Sequence, residues 1–146
     1  MSRSKKLAPV VDHVEKNERT ALQSVAFSQQ QLQQQLNRLN QLLEYKQDYA
    51  ERHSQGVSIS YTSVQLQEFN RFLHQLDETI RQQQHVVVMA EREVEIKRQR
   101  WKLTRSRSDA IHKVVDRMQM DEQKREQKKE QHFMDELALR NAFRDG

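Results

Sequence analysis

The sequence predicts an all-α protein: an antiparallel two-helix coiled-coil hairpin whose longer C-terminal helix overhangs the pair. Three observations predict this fold. The chain has only two glycines and one proline, the residues that most often end helices and form turns. Hydrophobic residues make up 35% and charged residues 32% of the chain, which leaves too little apolar material for a thick core. Apolar side chains also recur at alternating spacings of three and four residues.

The first helix is predicted over about residues 9–54. Pro9 suits its first turn, because the N–H that proline lacks has no helical partner at that position. We interpret residues 1–8 as a frayed, basic leader. Nine of thirteen seam positions are apolar or aromatic, as is typical of a heptad coiled coil. These seam positions are Leu7, Val11, Val14, Glu18, Ala21, Val25, Ser28, Leu32, Gln35, Leu39, Leu42, Lys46 and Tyr49.

A loop is predicted at about residues 55–62, around the only interior glycine, Gly56. Thr62 and Gln65 then have the spacing of a capping box, which predicts the start of a second helix over about residues 63–142. Eleven of the fifteen seam positions of this helix are apolar or aromatic. They are Phe69, Leu73, Leu76, Ile80, Gln83, Val87, Ala90, Val94, Lys97, Trp101, Thr104, Ser108, Ile111, Val115 and Met118.

Two helices with apolar seams and a short loop are expected to pack antiparallel as a single domain over residues 1–146. Folding about the loop puts residue i level with about residue 117 − i. The first helix then covers the second only as far as about Ser108, and the remaining residues overhang. Polar residues interrupt both seams, and we interpret them as tolerated substitutions, with register selection as the alternative. They are Glu18, Ser28, Gln35, Lys46, Gln83, Lys97, Thr104 and Ser108.

The chemistry of most enzymes is missing from the sequence. No glycine-rich phosphate loop is present, and the chain has no cysteine, so a reducing compartment fits. The six histidines lie far apart, which favours solvated side chains and argues against a metal site. We therefore predict no catalytic residue, no metal and no cofactor. The longest apolar run, Val86–Ala90, is too short to span a membrane, and no signal peptide is visible, so we expect a soluble cytoplasmic protein.

Two features are candidates for partner binding. The first is the basic stretch, in which no acidic residue lies between Ile96 and Ser108. It is suited to an acidic protein surface or a nucleic acid, and an ordinary solvated helix face is the alternative. Its basic residues are Lys97, Arg98, Arg100, Lys102, Arg105 and Arg107.

The second candidate is the aromatic patch, an apolar cluster predicted near the loop. Tyr45 is expected to lie level with Phe72, and Leu42 nearly level with Leu76. Tyr45 and Phe72 sit one place off the seams, so they should flank the core. Such a patch suits protein binding, and ordinary packing is the alternative. The patch comprises Leu42, Tyr45, Tyr49, Phe72 and Leu76.

Taken in order, these motifs resemble the FliJ family of flagellar type III export proteins over essentially the whole chain. The resemblance rests on Leu-x-x-Tyr-x-x-x-Tyr at Leu42 and on Phe-x-x-x-Leu-x-x-x-Ile at Phe72. It also rests on a tryptophan followed by basic residues at Trp101, and on Met-Asp-Glu-x-Ala-x-Arg at Met134.

The resemblance implies a non-enzymatic component of the bacterial flagellar export apparatus, similar in fold to the stalk of rotary ATPases. Its implied partners are the hexameric export ATPase FliI, the export gate protein FlhA and export chaperones. It would promote ring assembly and couple export to the proton motive force. It would act at the cytoplasmic face of the inner membrane without inserting into it, and it would not bind nucleic acid.

The resemblance assigns the aromatic patch to the export gate, whereas Arg38, Thr79 and Gln83 depart from the family pattern. We further predict that the ATPase ring meets Arg105, Arg107, Asp135, Glu136 and Arg140. Two alternatives remain open at this point. One is a basic coiled coil that binds nucleic acid non-specifically, and the other is a structural dimer in which hairpins open and pair between chains.

Overall fold

The computed structural model describes residues 2–56 and 61–145, and the regular structure in these residues is helical. A short helix α1 spans Arg3–Lys6, α2 spans Ala8–Gly56 and α3 spans Ser63–Asp145. Residues 57–60 of the predicted loop lie outside the described residues. The two long helices pack against each other as an all-α coiled-coil hairpin, which confirms the predicted fold class.

The helices form two compact units. The loop unit is Ala21–Trp101, and the terminal unit combines Met1–Thr20 with Lys102–Gly146. Within the loop unit, Gln35 contacts Gln83 and Tyr49 contacts Phe69. Because one residue number rises as the other falls, the helices of this unit run antiparallel.

The core of the loop unit lies on the predicted seams. Its buried apolar side chains all occupy seam positions, because only those positions face the other helix in each successive turn. Phe27 lies one residue before a seam position and is 64% exposed, which shows how narrow the core is. The buried apolar residues are Val25, Leu76, Ile80, Val87 and Val94.

Two polar seam residues bond across the helix pair. Gln83 is only 7% exposed, and its Nε2 donates to the main-chain oxygen and to Oε1 of Gln35, at 3.0 and 2.9 Å. A buried polar pair of this kind is satisfied in one register only, since a shifted helix would leave both amides without partners. The bonds between these two residues favour register selection over the simple tolerance predicted from the sequence.

Replacing only one of these glutamines is expected to lower the free energy of unfolding. Gln83→Leu removes a partner from Gln35 and should cost roughly 1–3 kcal/mol. Gln35→Leu combined with Gln83→Leu should recover or exceed the original stability, because an apolar seam needs no polar partner. Urea unfolding followed by circular dichroism measures both effects, with the exposed Gln34→Leu as the matched control. Equal stability of the single variant and the parent would contradict the prediction.

The predicted frayed leader is wrong, because Arg3–Lys6 form helix α1 and Ala8 already begins α2. Ser2 caps α1, where its side chain accepts a hydrogen bond from the amide of Lys5. Ser4 Oγ donates to Glu122 Oε2 at 2.7 Å, and Ser4 N donates to Glu122 Oε1 at 3.1 Å. The hydroxyl and amide donors of Ser4 hold the pKa of the Glu122 carboxyl below its ordinary value.

The pairing within the terminal unit extends further than predicted, to Glu122 and not only to Ser108. Ile111, Val115, Met118 and Glu122 are all partly buried. One cause is α1, because its residues add to the part of the chain that packs against α3. The other cause is the direction of the side chains, which lean towards the N-terminus of their own helix. Long side chains of two antiparallel helices can therefore meet although their Cα atoms lie at different levels.

The predicted overhang begins after Glu122 and is shorter than expected. Each residue from 123 to 144 is exposed. This segment remains helical because it is rich in residues that favour helices, chiefly glutamate, glutamine, lysine and arginine.

Candidate partner-binding surfaces

The structure brings the aromatic side chains of the patch into contact. The ring of Tyr45 meets that of Phe72 edge-on with centroids 6.2 Å apart, and Tyr49 meets Phe72 at 4.6 Å. Tyr45 is 53% exposed, whereas Tyr49 and Phe72 are partly buried. Tyr45 is therefore about half exposed to solvent, while its ring contacts Phe72.

The two leucines of the patch differ in exposure. Leu42 is partly buried, but Leu76 is only 7% exposed and belongs to the seam. Leu76 therefore supports Phe72 from one helical turn away and offers little surface of its own. The structure places Leu42, Tyr45, Tyr49 and Phe72 where a partner can reach at least part of each side chain.

Sequence reasoning missed an aromatic stack next to the patch. The ring of His53 lies parallel to those of Phe69 and Tyr61, at centroid distances of 3.4 and 5.2 Å. Tyr49 stacks on Phe69 at 5.0 Å, which joins the stack to the patch. The prediction that His53 is a solvated residue is therefore wrong. The available signal was its spacing, because His53 follows Tyr49 by four residues and continues the seam.

A shallow cavity of about 460 Å³ adjoins this stack. Its wall combines aromatic rings with one basic and one acidic side chain, Arg52 and Glu68. Apolar faces and a few polar groups are the usual composition of a surface that binds another protein. The cavity is lined by Tyr49, Arg52, His53, Tyr61, Gln65, Glu68, Phe69 and Phe72.

The start of α3 is held by the predicted capping box. Gln65 N donates to Thr62 Oγ1 at 3.3 Å, and Thr62 N donates to Gln65 Oε1 at 3.0 Å. These two bonds satisfy amides that have no partner within the helix. They also fix where α3 begins, and thus where Phe69 and Phe72 fall relative to α2.

A cross-helix ion pair lies close to the aromatic patch. Lys46 Nζ is 2.5 Å from Asp77 Oδ1, and each side chain is 40% exposed. Pairs with this exposure contribute about 0–1 kcal/mol to stability. The pair nevertheless neutralises Lys46, the only lysine on the seam of α2. Without Asp77, an unpaired charge would lie beside Tyr45 and Tyr49.

The predicted ring-binding residues of the terminal unit are all exposed, but they form two separate groups. Arg105 and Arg107 precede Asp135 by about thirty residues on the same helix, a distance of roughly 45 Å along its axis. Asp135 accepts a hydrogen bond from Gln131, and Glu136 lies 3.3 Å from His132 Nε2. The structure therefore does not bring the five residues into one site.

The end of α3 also exposes large apolar side chains next to Asp135 and Glu136. Phe143 is 85% exposed, and Leu137 is the least exposed of the group at 38%. Apolar side chains that protrude from a helix without an intramolecular partner are typical of a binding segment. The exposed apolar residues are Phe133, Met134, Leu137, Leu139 and Phe143.

Across the described part of the chain, no three histidine or acidic side chains are grouped so that they could hold a metal ion. None of the helices over the same residues combines the length and hydrophobicity that crossing a bilayer requires.

Comparison with known families identifies the chain. The model of the family described as "Flagellar FliJ protein" matches residues 3–146. The chain belongs to the FliJ family. This confirms the resemblance drawn from the sequence motifs, and it makes the chain a coiled-coil protein associated with flagellar export. No curated protein and no solved structure matched the chain.

Membership in the FliJ family also bears on the predicted lack of catalysis. The family is a component of the export apparatus and is not a known enzyme family.

Proposed function

We propose that this FliJ family protein is a stalk-like connector between two parts of the flagellar export apparatus. In this proposal the aromatic patch binds the export gate protein FlhA, and the terminal unit binds the hexameric export ATPase FliI. The protein promotes assembly of the ATPase ring, couples export to the proton motive force and escorts export chaperones. It acts as a peripheral component at the cytoplasmic face of the inner membrane.

The observation that carries the proposal is the exposed ring of Tyr45, held edge-on against Phe72. Tyrosine is enriched at the energetic centre of protein interfaces, because it supplies a large rigid contact area and a polar hydroxyl. The terminal unit differs in character, since its exposed helical surface combines many charged residues with the apolar side chains at the end of α3. Surfaces of such different chemistry suit two different partners.

The direct test of the proposal is co-purification. The full chain is mixed separately with the export ATPase and with the cytoplasmic region of the export gate, and the ATPase rate is then measured. Retention of both partners and a faster ATPase are expected. Retention of neither, together with strong salt-dependent binding to DNA, would instead support the nucleic-acid alternative.

Reversing the charge of Arg105 and Arg107 is expected to weaken ATPase binding. Arg105→Glu with Arg107→Glu changes the local charge by four units, so an acidic ring surface would repel the variant. The expected result is a loss of affinity of about tenfold or more at low salt and reduced ATPase stimulation. Arg81→Glu with Arg92→Glu makes the same charge change in the loop unit and should leave the ATPase unaffected. Unchanged co-purification of the first variant would count against this assignment.

A further inference from the structure

A continuous series of aromatic rings runs along the loop unit from the aromatic patch to the start of α3. The centroids of successive rings are 6.2, 4.6, 5.0, 3.4 and 5.2 Å apart. Successive members come alternately from before and after residues 57–60 of the chain, so the rings interdigitate. We call this set the ring series, and its members in order are Tyr45, Phe72, Tyr49, Phe69, His53 and Tyr61.

The spacing of the ring series along the chain explains why its members meet. Tyr45, Tyr49 and His53 follow one another at intervals of four residues, so their side chains lie on one face of α2 in successive turns. The two phenylalanines are three residues apart on α3, which also puts them on one face. The last member lies immediately before the capping box that begins α3.

The helix pair at this end of the loop unit lacks a fully buried seam. Among the described residues from Tyr45 to Gln75, every side chain is exposed or partly buried. Val64 and Leu66, at the start of α3, are 61% and 44% exposed. The buried seam begins only at Leu76. The interdigitated rings therefore supply much of the apolar contact between the two helices here, and ring contacts of this kind are stabilising in their own right.

His53 connects the ring series to the residues that follow the loop. Its ring lies 3.4 Å from that of Phe69 and 5.2 Å from that of Tyr61, within 11° and 7° of parallel. Phe69 in turn stacks on Tyr49, which contacts Phe72. A side chain keeps one rotamer only while its neighbours restrict it. Loss of the imidazole would therefore let Phe69, and with it Tyr49, adopt further rotamers.

We propose that His53 is a positioning residue of the gate-binding surface. Its imidazole holds Phe69 and Tyr49 in the orientation that places Phe72 against Tyr45. This inference rests on the proposed function, in which the aromatic patch binds FlhA, and adds that a ring outside the patch tunes that affinity. Side chains that are already held in their bound orientation bind more tightly, because less conformational entropy is lost on association.

The tyrosines of the chain are natural probes of this role. All three of them, Tyr45, Tyr49 and Tyr61, belong to the ring series. Incorporation of fluorotyrosine therefore gives three fluorine NMR resonances, which are assigned by replacing one tyrosine at a time with phenylalanine. In the full chain without a partner, His53→Ala should shift the resonance of Tyr49 as well as that of Tyr61, and that of Tyr45 to a smaller extent.

The matched control for the NMR experiment is His85→Ala, which removes an exposed histidine from α3 in the same unit. This variant should leave all three fluorine resonances in place. An unmoved Tyr49 resonance in His53→Ala would overturn the proposal, because the imidazole would then not order its neighbours. Equal shifts in His85→Ala would overturn it as well.

The affinity for the gate tests the consequence for binding. His53→Ala should weaken binding to the cytoplasmic region of FlhA by about tenfold in surface plasmon resonance, while circular dichroism stays unchanged. His53→Phe should restore the affinity to within about twofold, since a phenyl ring can also stack on Phe69 and Tyr61. Unchanged affinity in His53→Ala would overturn the proposal. Failure of His53→Phe to restore the affinity would show that the imidazole itself contacts the partner, which would overturn the positioning role.

The two experiments separate failure of this inference from failure of the proposed function. If the parent chain does not bind FlhA, the proposed gate contact is wrong, and the fluorine resonances still decide whether His53 orders the ring series. If the parent and His53→Ala bind equally well, only the positioning role is wrong. Loss of the circular dichroism signal in both His53 variants would also overturn that role, because His53 would then be required for the hairpin as a whole.

Discussion

Val87→Asp is expected to destabilise the loop unit strongly, whereas Val86→Asp and Val88→Asp should leave its stability almost unchanged. The three valines are consecutive, but Val87 is 6% exposed and its two neighbours are each 41% exposed. An aspartate at position 87 would bury a charge among apolar side chains with no partner placed to receive it. That change costs roughly 3–5 kcal/mol, a large fraction of the 5–15 kcal/mol that stabilises a typical domain.

Urea unfolding followed by circular dichroism and by the fluorescence of the single tryptophan, Trp101, measures the effect. A lower midpoint is expected for Val87→Asp alone. The other two variants serve as matched controls, since they introduce the same charge one residue away. Similar losses in all three variants would show that the seam does not determine stability at this level of the helix.

If the aromatic patch binds the export gate as proposed, Tyr45→Ala combined with Phe72→Ala is expected to weaken gate binding strongly and to leave the helices intact. Aromatic side chains at an interface centre commonly contribute 2 kcal/mol or more, so loss of both should weaken binding by roughly a hundredfold or more. The fold should survive because both residues lie beside the seam and not on it. Surface plasmon resonance with the cytoplasmic region of the gate measures the affinity.

Two controls separate binding from folding at the aromatic patch. Phe27→Ala removes a ring that is 64% exposed in the same unit but lies outside the patch, and gate affinity should stay unchanged. Leu76→Ala should lower both stability and gate affinity, because Leu76 is the buried seam residue of the patch. A collapse of the circular dichroism signal in the double variant would mean that the patch serves only as core.

Most of the helical packing could be predicted from the sequence. The seam positions repeat every three and four residues, and a side chain's position in that repeat decides whether it faces the other helix. Within the loop unit, burial follows the predicted seam from Ala21 through Tyr49 and from Phe69 through Trp101. The contact between Tyr45 and Phe72 followed from the same arithmetic.

Contacts that depend on polar or aromatic side chains outside the apolar pattern could not be predicted in this way. His53 looked like a solvated histidine because its stacking partners, Tyr61 and Phe69, lie beyond the loop. The partly buried hydrogen bond between Gln35 and Gln83 could not be predicted, because in the sequence the two residues are unrelated polar interruptions of two seams. Histidine and glutamine side chains occur both in solvent and in buried contacts. Only the neighbouring residue in the folded chain therefore determines which environment each of these side chains has.

The sequence by itself determined the helices, the seams and the family of this protein, because each depends on local spacing or on an ordered set of motifs. Only the tertiary structure decided how far the pairing extends. Ser4 and Glu122 are 118 residues apart in the chain, and both lie in polar segments. No periodic pattern links a serine to a carboxylate at that separation, so their hydrogen bonds appear only when the two segments are brought side by side.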